Sequence, residues 1–332
     1  MLRKVFTILI LLFCSSTAFA DLSFIDQPQV QTFIHDMVRK HQFNEASLIR
    51  IFDSVKIRPQ VIKSIKAPLE QKPWYSYQML FVTEWRIREG VKFWNKHQDA
   101  LQRAEKMFGV PASIIVATIG VETKYGTRMG NFRVIDALSN LAFSNTPRAA
   151  FFRNELEAFL LLSREQDLNP LTIKGSYAGA IGQPQFMPSS YRRFAINFSG
   201  YPKIDLSNDD VDVIGSVANY YNKHGWQTGQ SVIIPASIQK INRLEALLKN
   251  NSSSHTYSKA QLLKYGINPK GMITNHQKVS IVQLRSYFRH EYWLGFPNFD
   301  VIKRYNNSDL YAMAVYRLSY YITALREKTN NV

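Results

Sequence analysis

Cysteine is nearly absent from this chain: among its 332 residues only Cys14 occurs. Cys14 lies in a stretch with the character of an export leader. Arg3 and Lys4 form a short basic region, residues 5–13 are apolar, and Ala18-Phe19-Ala20 is a small-x-small cleavage pattern before Asp21. The apolar run is short for a bilayer span, which favours cleavage after Ala20 over a retained anchor. A lipid on Cys14 is a further alternative, and bulky Phe13, where a lipoprotein leader carries a small residue, argues against it. Cleavage leaves 312 residues with no cysteine. A disulfide, a cysteine nucleophile and a thiolate metal site are then all excluded. An ordinary apolar core, divided over two or three lobes, must hold such a chain together.

Acidic side chains are the second shortage, with 25 Asp and Glu against 41 Lys and Arg. Loss of Arg3 and Lys4 with the leader takes the formal charge from +16 to +14. A cation of this size favours polyanions. Nucleic acid is one candidate, but an exported protein rarely meets it. Peptidoglycan, with its peptide carboxylates, is the anionic polymer outside the inner membrane. Charge alone does not choose between them. Internal repeats are also lacking, and none of the seven histidines falls in a recognisable motif. Gly175-Ser176-Tyr177-Ala178-Gly179 is not a G-x-S-x-G elbow, which with the missing histidine disfavours a serine hydrolase.

What is present is mostly helical pattern. Val30, Phe33, Ile34, Met37 and Val38 repeat at three and four residues, and Leu48, Ile51, Phe52 and Val55 do so behind a candidate N-cap, Asn44. A further helix is expected from about 80 to 108, ending before Gly109. The middle of the chain stays helical but gains glycine and aromatic residues. After Gly225-Trp226 short strands are expected at 232–234, 272–274, 278–284 and 292–294, with a polar flexible stretch at 249–256. Helix returns from about 308 to 327. The reading is mainly α (α+β): a leader at 1–20, an N-terminal helical domain at 21–108 completed by 308–332, a core at 109–227, and a small β-containing lobe at 228–300.

Pro111 suits a helix start. Ile114, Ile115, Val116, Ala117, Ile119 and Val121 then make the helix apolar nearly all round, the mark of a buried one. Glu122 lies near its end, before Gly126 can stop it. Burial and the negative end of the helix dipole both favour a protonated carboxyl there, and such a group can donate to a glycosidic oxygen. The plainer reading pairs Glu122 with Lys124 or Arg128. Typical glycosidases need a second carboxylate, and none is convincing. Asp136 sits where it would cap or begin the helix of 134–143, a structural duty. Glu155, Glu157 and Glu165 read as the solvated side of a helix carrying Phe151, Phe152, Leu156, Phe159 and Leu160.

Gly120-Val121-Glu122-Thr123-Lys124-Tyr125-Gly126, followed by Asp136-Ala137-Leu138, closely resembles the signature of the lytic murein transglycosylase B family. Further blocks agree in order and spacing: Ser176-Tyr177-Ala178-Gly179-Ala180-Ile181-Gly182, then Gln185-Phe186-Met187-Pro188, then Gly215-Ser216-Val217-Ala218-Asn219-Tyr220 leading to His224-Gly225-Trp226. Arg304-Tyr305-Asn306 and Tyr311-Ala312-Met313-Ala314-Val315 match near the C-terminus. The resemblance implies a lysozyme-like catalytic core with an N-terminal helical domain and a small β lobe. It implies cleavage of the β-1,4 bond between N-acetylmuramic acid and N-acetylglucosamine, with a 1,6-anhydro product. One glutamate, Glu122, would then serve as acid and afterwards as base, which accounts for the missing partner.

By the same resemblance Ser176 would hold the acetamido group or orient the sugar. Gln185, Tyr220, Tyr305, Asn306 and Tyr311 would line subsites, Arg148 would receive a carboxylate, and Tyr77 would join from the N-terminal domain. For each tyrosine, plain core packing is the competing reading. The family's type members carry a calcium-binding loop before the Gly215 block. Here Asn197 and Tyr201 stand where such a loop wants carboxylates, and the stretch to Asp212 is one residue longer. Calcium binding is therefore expected to be weak or absent, with no cofactor, and Asp209, Asp210 and Asp212 read as a helix N-terminal charge group. The expected partner is the peptidoglycan glycan strand and not nucleic acid, with cell-wall synthesis or division proteins as candidates. A soluble periplasmic monomer is expected. The alternatives are a muramidase using water and a non-catalytic peptidoglycan-binding or scaffold protein.

Overall fold

The computed structural model describes residues 23–65, 71–249 and 257–330. The expected leader and residues 250–256 of the polar stretch lie outside it. The described residues form two compact units, one up to Lys56 and one from Ile57 onward. Among them no single helix is long and apolar enough to cross a membrane.

The first unit is built on two helices, Pro28–His41 and Glu45–Asp53. Asn44 caps the second as its position suggests, its side chain accepting the Ser47 N–H at 2.9 Å. Val30, Phe33, Ile34 and Met37 are buried from one helix and Leu48 and Phe52 from the other. The Phe33 and Phe52 rings meet edge to face at 5.8 Å.

The second unit corrects two expectations. The single helix expected over 80–108 is three: Trp74–Phe81, Glu84–Lys96 and Gln98–Phe108. The Thr83 hydroxyl accepts the Arg86 N–H at 3.2 Å and starts a new helix. His97 leaves the helical region (φ −115, ψ 28) and separates the next two. Gly109, left-handed at φ 72, ends the last one as expected. All three helices belong with the core, so the chain divides after Lys56 and not at 108.

At the centre lies helix Ala112–Thr123, with Pro111 as its N-cap rather than its first residue. Every residue in it except Ser113 and Glu122 is buried. Helices Glu84–Lys96, Gln98–Phe108 and Asp210–Lys223 and the C-terminal Asp309–Asn330 enclose it. Burying Ile114, Ile115, Val116, Ile119 and Val121 is worth about 2 kcal/mol each, together on the order of a whole domain's net stability. The position of its end is fixed accordingly. Helices Val134–Ala142 and Ala149–Glu165 pack on one another, and Pro188–Phe194 packs on the second.

Strands β1 (Phe132–Arg133) and β2 (Lys174–Gly175) form a small antiparallel pair. The other five, β3 (Ile233–Ile238), β4 (Tyr257–Ser258), β5 (Ile267–Pro269), β6 (Lys278–Arg285) and β7 (His290–Gly295), form one sheet in the order β4-β6-β7-β3-β5. All its pairings are antiparallel. The strand expected at 272–274 is absent: Ile273 is buried, but Met272 is 87% exposed, and the pairing falls to β5 instead. Helices Ile241–Lys249 and Lys259–Lys264, unforeseen from sequence, help close the lobe around Leu244, Leu262, Ile267, Val279 and Leu294.

Candidate active site

The central helix stops early. Lys124, Tyr125 and Gly126 are all left-handed, with φ of 52, 56 and 81, so the stop falls at Lys124 and not at Gly126. Each non-glycine residue in this region costs about 1 kcal/mol or more, so its neighbours must enforce it. Tyr125 donates its hydroxyl to the Arg86 carbonyl at 2.7 Å. Its ring lies over Gly120, where a Cβ would come within 2.6 Å of a ring carbon. Arg86 is itself buried, donating from Nε to the Gly120 carbonyl at 2.8 Å and from Nη1 to Leu80 at 2.6 Å. The Thr123 hydroxyl donates to the Gln183 carbonyl at 2.8 Å and accepts the Gly126 N–H at 3.1 Å. The residues on both sides of Glu122 are thereby locked.

Glu122 remains partly open to solvent. Its Oε1 accepts the Tyr311 hydroxyl at 2.5 Å. Lys124, one of the cations considered as its partner, places Nζ 5.8 Å from the Trp85 ring centre, and Arg128 is exposed. Tyr220, Tyr221, Tyr305 and Tyr311 surround the carboxyl. Burial drives the hydroxyl pKa of each upward, and the Glu122 charge adds to the rise. All four are neutral, and of these Tyr311 donates to the carboxyl.

These rings form a connected wall. Tyr305 stacks on Tyr311 at 6.1 Å and contacts Tyr220 at 4.7 Å. The Tyr305 hydroxyl donates to the Pro184 carbonyl at 2.6 Å, and that of Tyr220 to Arg304 at 2.7 Å. Gln185, left-handed at φ 51, donates from Nε2 to Met129 and Gly182 carbonyls at 3.1 and 2.9 Å. Glu122, Tyr311, Tyr305 and Tyr220 are thus brought together with the turn that carries Gln185, and exposed Asn306 follows Tyr305.

The remaining expected residues sit on other elements. Ser176 follows β2, and its Oγ accepts the Ala178 and Ala180 N–H groups at 3.3 and 3.1 Å, shaping its own turn. Arg148 is exposed at the start of helix Ala149–Glu165, its guanidinium 4.7 Å from the Phe151 ring centre. Tyr77 is buried, with its ring 4.7 Å from Phe81.

One carboxylate differs from its expected role. Glu155 is buried, not solvated, and accepts the Ser189 N–H at 2.9 Å and the Ser189 hydroxyl at 2.6 Å, serving the start of helix Pro188–Phe194. Asp136 has the structural duty expected of it, in the first turn of its helix rather than at the N-cap. Fully buried, it accepts Arg133 at 3.0 and 2.6 Å and Arg58 at 3.4 Å. Asp212 also does more than charge a helix end, because its carboxylate accepts the Phe198 and Ser199 N–H groups at 2.8 Å and that of Asp205 at 3.1 Å.

A lone, partly open carboxyl among aromatic rings at the end of an enclosed helix defines a glycan-cleaving enzyme of the lysozyme-like kind. The model of the transglycosylase SLT domain matches residues 26–320. The chain is 42% identical to membrane-bound lytic murein transglycosylase B of Escherichia coli (strain K12), over 91% of this chain and 85% of that protein. It superposes on the soluble lytic transglycosylase SltB1 of Pseudomonas aeruginosa with a TM-score of 0.84 and 44% identity, covering 90% of this chain and all of that one. The Escherichia coli lytic transglycosylase Slt35 in complex with calcium gives a TM-score of 0.83 and 41% identity, over 91% and 95% of the two chains. The chain belongs to the transglycosylase SLT family and is a lytic transglycosylase.

Sequence reasoning misses Arg86 and Tyr221. A buried arginine reads as a surface one in a helix pattern. Tyr221, beside Tyr220 on a helix buried along most of its length, carries no separate signal.

Proposed function

We propose that Glu122 cleaves the β-1,4 bond between N-acetylmuramic acid and N-acetylglucosamine in peptidoglycan, as acid and then as base. Its proton passes to the glycosidic oxygen as the C1–O bond breaks. The carboxylate then takes the proton of the muramic C6 hydroxyl as that oxygen bonds to C1, leaving a 1,6-anhydro end. The substrate's N-acetyl group helps to stabilise the charge developing at C1. The observation that carries this reading is the Tyr311 hydrogen bond to Oε1 of a glutamate left partly open at the end of an otherwise buried helix. Asp136 and Glu155 have their oxygens committed to Arg133, Arg58 and Ser189, which supports a single-acid mechanism.

The test is digestion of purified peptidoglycan by the wild type and by Glu122→Gln, with products weighed. Anhydromuropeptides from the wild type alone are expected. Products one water heavier would instead mean a muramidase using water. Binding without products from either protein would mean a scaffold.

Around this centre Tyr220, Tyr305, Asn306, Tyr311 and Gln185 line sugar subsites in our reading. Ser176 serves the acetamido group, Arg148 a carboxylate, and Tyr77 the cleft from its own helix. The protein works as a soluble periplasmic monomer after cleavage at Ala20, on glycan strands rather than nucleic acid, with cell-wall synthesis or division proteins as candidate partners. Intact mass of the native protein tests this. An acylated Cys14 at the N-terminus would make it an anchored enzyme, as the name of its Escherichia coli relative describes that one.

In our reading calcium binding is weak or absent. The 197–212 loop fits the ion poorly, because Asn197 accepts the Gly200 N–H. Asp205 accepts the Ser207 and Asn208 N–H groups, and Asp212 accepts three more. Lys203 reaches outward to Asp167 at 3.1 Å. Hard cations need anionic oxygens, and at Asn197 and Tyr201 the loop offers neutral groups instead. A melting temperature unmoved by micromolar calcium is expected, and a rise would overturn this reading.

A further inference from the structure

We infer that Gln183 and Asp210 are positioning residues for Glu122. The hydrogen bond between their side chains holds the turn 182–185, and that turn fixes the residue after Glu122 and the ring stacked on its donor. The inference rests on the reading of Glu122 as acid and base.

The turn is closed by the pairing of Ile181 with Phe186 and reaches the site through two carbonyls. That of Gln183 accepts the Thr123 hydroxyl at 2.8 Å, and Thr123 accepts the Gly126 N–H in its turn. That of Pro184 accepts the Tyr305 hydroxyl at 2.6 Å, and Tyr305 stacks on Tyr311, the donor to Glu122. A backbone carbonyl points where its chain is held, so both contacts depend on what anchors the turn. The Gln183 N–H donates to the Leu206 carbonyl at 2.7 Å. The Gln183 side chain donates from Nε2 to Asp210 Oδ1 at 2.7 Å and lies 3.4 Å from the Ser207 carbonyl. Asp210 opens the helix Asp210–Lys223, which carries Tyr220. Its other oxygen, Oδ2, lies 2.9 Å from His97 Nε2 and 3.4 Å from Lys96 Nζ. One carboxylate therefore holds the turn with one oxygen and is itself held by the other.

The amide of Gln183 is wedged between Asp210 and the turn after Glu122. A Cβ on Gly126 would lie 2.9 Å from Gln183 Cδ. Gln183 is 4% exposed, and its Oε1 is buried with no hydrogen-bond partner among the described residues. Turning the amide over would set that oxygen against Oδ1, so Asp210 decides which way the amide faces. An apolar side chain would fill the same space and leave no oxygen orphaned. The chain instead keeps a donor on a carboxylate, a bond about twice as strong as a neutral one. A local cost of this kind is characteristic of a site rather than of plain core. The neighbouring acidic groups act elsewhere. Asp209 accepts the Val211 and Asp212 N–H groups of its own helix, and Asp205 those of Ser207 and Asn208.

The test measures kcat, KM and melting temperature on purified peptidoglycan for the wild type and a set of variants. Gln183→Met keeps the length of the side chain and removes the donor, and Asp210→Ala removes the acceptor. Each should lower kcat about tenfold, because the acid is displaced from its working position. Gln185 keeps its own bonds to Met129 and Gly182, so KM should stay within about twofold. Asp210→Asn loses the charge but keeps an oxygen for the amide. Its kcat should stay near that of the wild type even where the lost charge lowers the melting temperature. Gln183→Glu sets two carboxylates together and should be impaired. Adding Asp210→Asn to it rebuilds the bond with donor and acceptor exchanged, and kcat should recover. Wild-type kcat in Gln183→Met and Asp210→Ala, beside an inactive Glu122→Gln, overturns the inference. A kcat that only follows the melting temperature, Asp210→Asn included, with no recovery in the double variant, reduces the pair to packing and also overturns it. An active Glu122→Gln overturns the underlying reading instead.

Discussion

Tyr311 and Glu122 are 189 residues apart in sequence and joined by a 2.5 Å hydrogen bond from the phenol to Oε1. The helix bearing the acid is apolar on every side, so the chain must supply partners for its one partly open carboxyl from distant elements. Removing the phenol as Tyr311→Phe takes away a hydrogen bond to a charged group, worth about 1.5–3 kcal/mol. We expect kcat on purified glycan strands to fall roughly 10- to 100-fold with little change in far-UV circular dichroism.

Gly120 admits the Tyr125 ring where a Cβ would sit 2.6 Å from a ring carbon. Gly120→Ala should displace Tyr125 and cost about 2 kcal/mol. For a protein of this size the melting temperature should drop by roughly 3 °C. Calorimetry checks it, and an unshifted transition would mean that the ring gives way freely.

Asp136 is a buried anion shared by Arg133 and Arg58. Asp136→Ala leaves two guanidinium groups without it and should cost about 3 kcal/mol in urea unfolding. Turnover per folded molecule should stay near that of the wild type, because Asp136 takes no part in the proposed chemistry.

Asp210 is held down to a pKa of about 2, first by His97, whose Nε2 lies 2.9 Å from its carboxylate, then by Gln183 and Lys96. Its ordinary value is 3.8, so the folded state binds the proton less tightly than the unfolded chain. The resulting stabilisation, about 2 kcal/mol, is present above pH 4 and disappears as pH falls from about 4 to about 2. Asp210→Asn should flatten the stability curve in that window when unfolding is followed by fluorescence.

The sequence announces the central helix plainly, since an unbroken apolar surface over 114–121 has no stable place except inside. Asn44 is equally legible, as a short polar side chain before an apolar stripe. The breaks at Val82 and His97 are not legible, because neither carries the glycine or proline that marks an ending. Lys124 misleads for a related reason. Gly126 is the obvious stop, yet Tyr125 anchored on Arg86 forces the turn two residues sooner. Glu155 follows the spacing of a solvated face, but that helix is covered on more sides than a stripe predicts. The acid itself is readable from its place on the helix. The side chains around it depend on which helices meet in space, and no local pattern encodes that.

The helix Asp309–Asn330 both encloses the central helix and delivers Tyr311. In synthesis from the N-terminus, Glu122 is made 189 residues before the phenol that meets it. A growing or truncated chain that ends before Asp309 carries an acid with no completed surroundings and an apolar helix still uncovered. Such a chain is expected to be inactive, which an assay of a chain ending before Asp309 checks. Completion of the site therefore waits on the docking of helix Asp309–Asn330, which covers the central helix and supplies Tyr311 in one step.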